Sequence, residues 1–437
     1  METPSTTVSA TTSRVEDALF RWSWAEPSVW TERMLTALEN GVKGGKWYAL
    51  IDKVHATANL KAAFAKVKSN GGVAGVDHVT VEEFNRRWEA NLDYLQGQLR
   101  DGSYRPQAVL RTWIPKPGSR EKRPLGIPTV RDRTAQGALR NVLEPIFEHD
   151  FAEHSYGFRP GRGCKDALRQ VDSLLKQGYA WIVDADLKSY FDTIPHDRLL
   201  DRLKIKISDG RVLELIQRYL KAGILEGLKH WTPESGAPQG AVLSPLLSNI
   251  YLDPLDHLAN ERGLEMVRYA DDFVILCRTR EEAEAALELV RVWVQDAGLT
   301  LHPEKTRVVD ARTEGFDFLG YKFLSGQRFI RTKSLDKFKD TIRAKTVRNS
   351  GHGLERIIAN VNQTLRGWFE YFKHADPLKF SSLDSWLRGR LRSILRRRMG
   401  RRGRGRGPDH QRWKNAYFTE RGLFSLHTAR AEVDQPF

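Results

Sequence analysis

Apolar residues recur at helical spacing from about residue 30 to 100, broken by glycine-rich stretches such as NGGVAGVD at 70–77. The period then changes. VLRTWIPK at 109–116 reads as a strand, PGSREKRPLGIPT follows as a polar turn, and residues 132–150 predict a helix ending near His149. The middle of the chain mixes both periods. AWIVDADL at 180–187 predicts a strand, 196–222 a helical stretch, and SGAPQGAVLSP leads into a helix over about 243–262. MVRYA and FVILC predict a hairpin with Asp271 and Asp272 in its turn. A helix over 280–297 and strands at 305–310 and 316–323 complete this region. Beyond about 330 the pattern is helical again. Leu365, Trp368, Phe369 and Phe372 form one apolar stripe, and Leu383, Trp386, Leu387, Leu391, Ile394 and Leu395 form another. The second of these helices is expected to start after Ser381 and to stop near Gly400. There is no internal repeat, and GRRGRGRG at 400–407 is the single low-complexity piece.

A chain of 437 residues exceeds the usual size of one core, so two or three packed units are expected. Its formal charge of +15 points to a polyanionic partner. No spanning apolar segment or lipidation signal accompanies that charge, which favours nucleic acid over a membrane surface. The two cysteines, Cys164 and Cys277, exclude a disulfide framework and a four-cysteine zinc module. The Ser/Thr-rich residues 1–15 are expected to be disordered. They lack the basic and apolar regions of a secretory signal, and Glu2, Glu16 and Asp17 argue against a transit peptide, so a cytoplasmic location is expected.

The stretch RYADDFVIL raises the chemical question. Two adjacent carboxylates at the foot of an apolar strand repel each other and lose hydration, so they sit in a solvated turn or something cationic holds them. Asp186 ends another apolar strand in DADLKSYFDTI. If the two strands are antiparallel neighbours, Asp186, Asp271 and Asp272 converge on one spot. Oxygen ligands of that kind suit Mg²⁺, and two such ions about 4 Å apart activate a 3′-hydroxyl and stabilise leaving pyrophosphate. Taken alone, an Asp–Asp turn is equally an ordinary surface turn.

The order of the surrounding motifs decides between these. IPKPGSREKRPLGIPTVRDRTAQ, YGFRPGRG, DADLKSYFDTI, GAPQGAVLSPLLSNIYLDPLD, RYADD, LTLHPEKT and FDFLGYKF resemble, in sequence, the blocks of group II intron reverse transcriptase/maturases over about residues 48–425. LRGWFEYFKHADPLKF and WKNAYFTERGLFSL resemble the family's thumb and maturase-specific region. The resemblance implies an α+β right-hand polymerase. Residues 1–47 would be an N-terminal extension and 48–325 fingers and antiparallel-sheet palm. Residues 326–425 would be a helical thumb and maturase-specific RNA-binding domain, and 426–437 a tail. No cysteine follows Cys277, which matches the class lacking an HNH endonuclease.

Carried over by residue, the resemblance makes Asp186, Asp271 and Asp272 catalytic metal ligands, with the Leu187 carbonyl beside them. Two Mg²⁺ ions are implied, with Mn²⁺ as a substitute. Asp184 and Asp192 are secondary, Asp192 fitting a helix cap better. Phe191 would face the sugar 2′ position, with core packing as the rival reading. Lys116 and Arg123 match residues that contact the triphosphate, with the register open around Arg120, Glu121 and Lys122. Gln239 and Gly240 would lie under the nucleotide, where a small residue permits close approach. Lys305 matches a pyrophosphate-protonating position, or is a surface lysine. Trp368, Phe369, Phe372 and Trp386 read as helical core. Arg388, Arg390, Arg392, Arg396, Arg397 and Arg398 read as a phosphate-binding surface for folded RNA, and Arg401–Arg406 as an arm that orders on RNA. The implied partners are group II intron RNA, an RNA template with a DNA primer, dNTPs and target DNA. No membrane is implied, and a homodimer is left open. The implied function is RNA-directed DNA synthesis, with intron binding for splicing and target-primed copying during retrohoming. Two rivals remain: a domesticated enzyme of defence or diversification, and a splicing cofactor without polymerase activity.

Overall fold

A computed structural model of the chain describes residues 20–115, 122–401 and 403–433. Eleven strands occur among them. They are β1 (Val109–Pro115), β2 (Lys122–Ile127), β3 (Trp181–Asp186), β4 (Ile224–Glu226), β5 (Lys229–Trp231) and β6 (Glu265–Tyr269). β7 (Asp272–Cys277), β8 (Arg307–Asp310), β9 (Phe316–Phe318), β10 (Tyr321–Leu324) and β11 (Gln327–Ile330) follow.

The central sheet has the order β6-β7-β3-β8, with every neighbouring pair antiparallel. Strand alternation sends Val183, Ala185, Phe273 and Ile275 into one apolar core. Ile182, Val274, Leu276 and Val309 enter a second core on the opposite face. Burial on both faces explains why β3 and β7 read as nearly unbroken apolar runs. The first core also holds the N-terminal helices and α1 (Val130–Glu148). The second holds apolar residues of α2 (Cys164–Lys176), the β11-β10-β9 sheet and the C-terminal helices. The sheet is thus the partition between two cores, and the C-terminal helices share the core on the Ile182 and Val274 face.

β1 and β2 form an antiparallel ladder, and β1 joins β4 in parallel to give the sheet β2-β1-β4-β5. Helices α3 (Ser244–Glu261) and α4 (Arg280–Asp296) flank the palm, and α5 (Thr332–Lys345), α6 (Leu354–Phe372) and α7 (Leu378–Arg398) follow it. The α+β architecture and the antiparallel palm match expectation. Three local expectations differ. The strand expected at 316–323 is two antiparallel strands, β9 and β10, parted by a turn in which Leu319 and Gly320 take positive φ. The helical stretch 196–222 splits into His196–Lys206 and Gly210–Leu220, because Asp209 caps the second helix by accepting from Arg211 N and Val212 N. Its other oxygen accepts from Leu50 N and Ile51 N at 2.7 and 2.9 Å, tying the split to the N-terminal helices. Helix α7 begins at Leu378 rather than after Ser381, with Pro377 at its N-cap at φ −59°.

The expected 325/326 division falls in the turn of the β10–β11 hairpin, where Ser325 and Gly326 take positive φ. Among the described residues, no helix is long and apolar enough to cross a membrane. The expected disorder of residues 1–15 lies outside the described residues.

Candidate active site

Asp186, the last residue of β3, pairs in register with Asp272, the first residue of β7. Directly opposed residues of an antiparallel ladder point to the same face, so these two carboxylates share a side. Asp184 shares that face two residues back. The turn between β6 and β7 holds Ala270 and Asp271 alone. The expected hairpin is therefore correct, but Asp272 lies in the strand rather than in the turn. Ala270 takes φ +61°, a left-handed conformation that L-residues adopt at a cost.

The carboxylates feel one another. Burial, then Asp184, Asp271 and Asp186, push Asp272 up to about 7, against a smaller opposing pull from Arg331. Burial raises Asp184 to about 6 despite the Arg307 guanidinium at 3.5 Å. Asp271 is raised as well, first by burial, and both Arg268 and Lys305 oppose this. Each group resists ionising first because burial strips its hydration, and the nearby carboxylates add to that cost.

Lys305 bears on this cluster directly. The loop carrying it runs antiparallel to the end of β3, with His302 N donating to Asp186 O at 2.7 Å and Lys188 N to Thr300 O at 2.8 Å. Its ammonium donates to Asp186 Oδ2. A cation thus already stands against Asp186. Among the described residues no group of three acidic, histidine or cysteine side chains is gathered around one point. For Asp186 to share a divalent ion with the hairpin, the Lys305 ammonium must give way. The carboxylate oxygens are the hard donors that divalent cations take, and the Lys305 ammonium, which has no lone pair to give, competes with such a cation for Asp186. The two backbone bonds flanking Leu187 leave its own carbonyl turned away from the Thr300–His302 loop.

Phe191 is half-buried, edge-on to Tyr190 and Phe158 at 5.5 and 6.4 Å between ring centres. It also lines an open cavity of about 460 Å³ with Arg111, Asp192, Trp231 and Gly236. Asp192 lies inside the one-turn helix Tyr190–Thr193, whose N-cap is Ser189. That corrects its expected capping role. Burial raises its carboxyl, with Arg111 opposing.

Ala237 N donates to Phe191 O at 2.7 Å and Gly236 N to Ile194 O at 2.8 Å, seating the Pro-Gln-Gly loop on this helix. Gln239 O accepts from Gly126 N of β2 at 2.6 Å. A Cβ on Gly240, which has φ +105°, would stand 2.7 Å from Gly126 O and 2.6 Å from the Leu125 side chain. The close approach that glycine permits here is to the fingers strand. Arg123 pairs with Ile114 in the β1–β2 ladder and is exposed. Lys116, Arg120 and Glu121 lie outside the described residues.

The six arginines of α7 do not form one surface. Arg392 is 3 % exposed. Its guanidinium donates to Trp413 O at 2.9 Å and Asn415 Oδ1 at 2.8 Å, and lies over the Phe418 ring. Arg396 forms an ion pair with the buried Asp409 at 2.6 Å. Both hold the following short helices, which corrects their expected part in RNA binding. Arg390 is half-buried against Thr346, and Arg388 is half-buried too. Arg397 and Arg398 are exposed. Of the glycine-interleaved segment, Arg406 is the N-cap of the helix Gly407–Arg412, while Arg402 lies outside the described residues.

The sequence reading gave Arg268 no role. It is fully buried in β6 and paired with Asp256 of α3 at 2.5 Å. An arginine inside an apolar strand was the signal, since such a charge is tolerated only when paired.

Residues 114–323 match the family model for reverse transcriptase (RNA-dependent DNA polymerase), and residues 335–413 match that for the group II intron maturase-specific domain. Protein YkfC of Escherichia coli strain K12 is 32 % identical over 352 residues, covering 71 % of this chain and 88 % of that protein. The group II intron-encoded protein LtrA of Lactococcus lactis subsp. cremoris is 38 % identical over 232 residues, covering 53 % of this chain and 37 % of LtrA. An uncharacterized 91 kDa protein in the cob intron of Schizosaccharomyces pombe is 33 % identical over 258 residues, covering 46 % of this chain and 32 % of that protein. Polymerase and maturase domains, joined in that order in one chain, make this protein a member of the group II intron reverse transcriptase/maturase family, with an RNA-directed DNA polymerase domain as its first part.

Proposed function

We propose that the chain copies RNA into DNA from a primer 3′ end, with Asp186, Asp271 and Asp272 as the residues that hold the divalent metal, Mg²⁺ before Mn²⁺. One observation carries this reading: Asp186 stands opposite Asp272 on one face of the palm, beside the turn that presents Asp271. When bound, the metal activates the primer hydroxyl and stabilises charge on the leaving pyrophosphate. The Leu187 carbonyl, turned away from the Thr300–His302 loop, completes the donor set. Phe191, at the rim of its cavity, blocks a ribose 2′-hydroxyl by bulk. Arg123, on the exposed β2 ladder, and Lys116 contact the triphosphate, the guanidinium as a planar fork and the ammonium as a point charge. Gln239 and Gly240 support the nucleotide through their seat on β2. Lys305 Nζ releases Asp186 and carries a proton toward the departing pyrophosphate.

The same chain binds intron RNA through its C-terminal helices, with Arg397 and Arg398 as phosphate contacts on α7. The RNA then performs the splicing chemistry, and the protein neutralises phosphate and copies the intron at a DNA target. Residues 48–325 act as the polymerase and 326–425 as the RNA-binding part, in the cytoplasm. Primer extension on an RNA template with dNTPs and Mg²⁺ tests the proposal. The parent extends the primer and Asp271→Ala/Asp272→Ala does not. Extension that survives the double substitution sinks the metal assignment, and none in the parent leaves a splicing cofactor only.

A further inference from the structure

The turn that presents Asp271 is clamped from inside the protein. Arg268 Nε donates to both oxygens of Asp256, at 2.7 and 3.0 Å, and Nη2 donates to Asp256 Oδ2 at 2.5 Å. Nη1 donates to Ala270 O at 2.9 Å and Asn249 Oδ1 at 3.0 Å. Asn249 in turn donates to Gly157 O at 2.8 Å. Gly157 lies so close that a Cβ on it would stand 2.1 Å from Ala270 N. The main chain of Arg268 is held as well, donating to His154 O at 3.0 Å and accepting from Tyr156 N at 2.9 Å.

A fully buried ion pair is a poor stabiliser, because the desolvation of both charges offsets most of their attraction, and an apolar pair of similar volume often serves as well. What an apolar pair lacks is the donor on Ala270 O. That carbonyl belongs to the residue with the left-handed φ, immediately before Asp271. A strained turn persists only where its surroundings over-determine it. Here the guanidinium holds it from one side and the Gly157 main chain from another.

We propose that Arg268 is a positioning residue for the carboxylate hairpin. It is oriented by Asp256 and Asn249, and it fixes the Ala270–Asp271 turn so that Asp271 meets Asp186 at a shared divalent cation. This rests on the polymerase reading above.

The test compares Arg268→Lys, Asp256→Asn and the apolar double variant Arg268→Met/Asp256→Leu with the parent full-length chain. Four quantities are measured: melting temperature, RNA affinity, Mn²⁺ affinity by electron paramagnetic resonance, and primer extension against Mg²⁺ concentration. In the double variant we expect melting and RNA affinity close to the parent's. Mn²⁺ affinity falls about tenfold, kcat falls about thirtyfold, and KM for dNTP changes little. Arg268→Lys shows a smaller loss of the same kind. A double variant that folds and keeps parental Mn²⁺ affinity and rate overturns the proposal. Failure of every variant to fold overturns it too, since Arg268 would then serve stability alone. A parent that neither binds Mn²⁺ nor extends a primer refutes instead the polymerase reading on which the proposal rests.

Discussion

The palm carboxylates and the α7 arginines are both dense sets of like charge, and the tertiary structure treats them oppositely. It turns the first set to one side of the sheet, with Asp184, Asp186 and Asp272 on one face and Asp271 in the adjoining turn. It divides the second, turning Arg392 and Arg396 inward and leaving Arg397 and Arg398 exposed. The difference lies in what sets side-chain direction. In a ladder, apolar alternation fixes the register, and register fixes which residues face each other. In a helix, residues four apart share a face, so whatever packs on that face decides the fate of 392 and 396 together. Short helices after residue 406 do the packing.

Four variants break or sharpen this contrast. The largest effect belongs to the palm. Asp186→Asn lowers primer extension on the order of a thousandfold while leaving RNA affinity intact, and a loss below tenfold in single-turnover assays removes Asp186 from the site. Next comes the inward arginine. Arg392→Ala strands the Trp413 carbonyl and the Asn415 oxygen, costing about 3 kcal/mol in chemical denaturation. The folded fraction keeps its RNA affinity, and a variant that melts like the parent but binds RNA weakly would return Arg392 to the RNA surface.

The third separates charge crowding from structure. Asp272 is raised to about 7 in the folded chain from an ordinary carboxylate value. An acid raised on folding contributes stability that is present below its unfolded pKa and lost as pH rises through its folded pKa. Without divalent metal, stability therefore falls from about pH 4 to pH 7. Asp272→Asn removes the penalty, so the variant is more stable than the parent at pH 8, by about 4 kcal/mol, and about equal to it at pH 4. Denaturation of metal-free protein at both pH values checks this, and a variant less stable at pH 8 contradicts it. The smallest effect is Arg397→Ala/Arg398→Ala. Melting is unchanged, and the slope of log affinity against log salt shrinks by about one per arginine. An unchanged slope in a salt titration of intron RNA binding places the contact elsewhere.

Much of the polymerase half was legible along the chain. The β6–β7 hairpin could be read from two apolar runs around a polar pair, and β3 from its single run ending at Asp186. Their pairing was an inference from family order until the register joined Asp186 to Asp272. The Asp192 cap misread a one-turn helix whose boundary depends on the Pro-Gln-Gly loop seated on it. At Gly240 the structure shows a close approach to β2 that the sequence did not reveal.

The sequence by itself determined the α+β class, the positions of the palm strands, the acidic residues at their ends and the family. All of these follow from local period, turn chemistry and motif order, which a linear chain carries. Only the tertiary structure decided that Lys305 bonds Asp186, that Arg268 braces the hairpin from within, and that Arg392 is core. Each depends on which distant segment arrives beside a side chain, and burial, unlike periodicity, is not written at the residue that undergoes it.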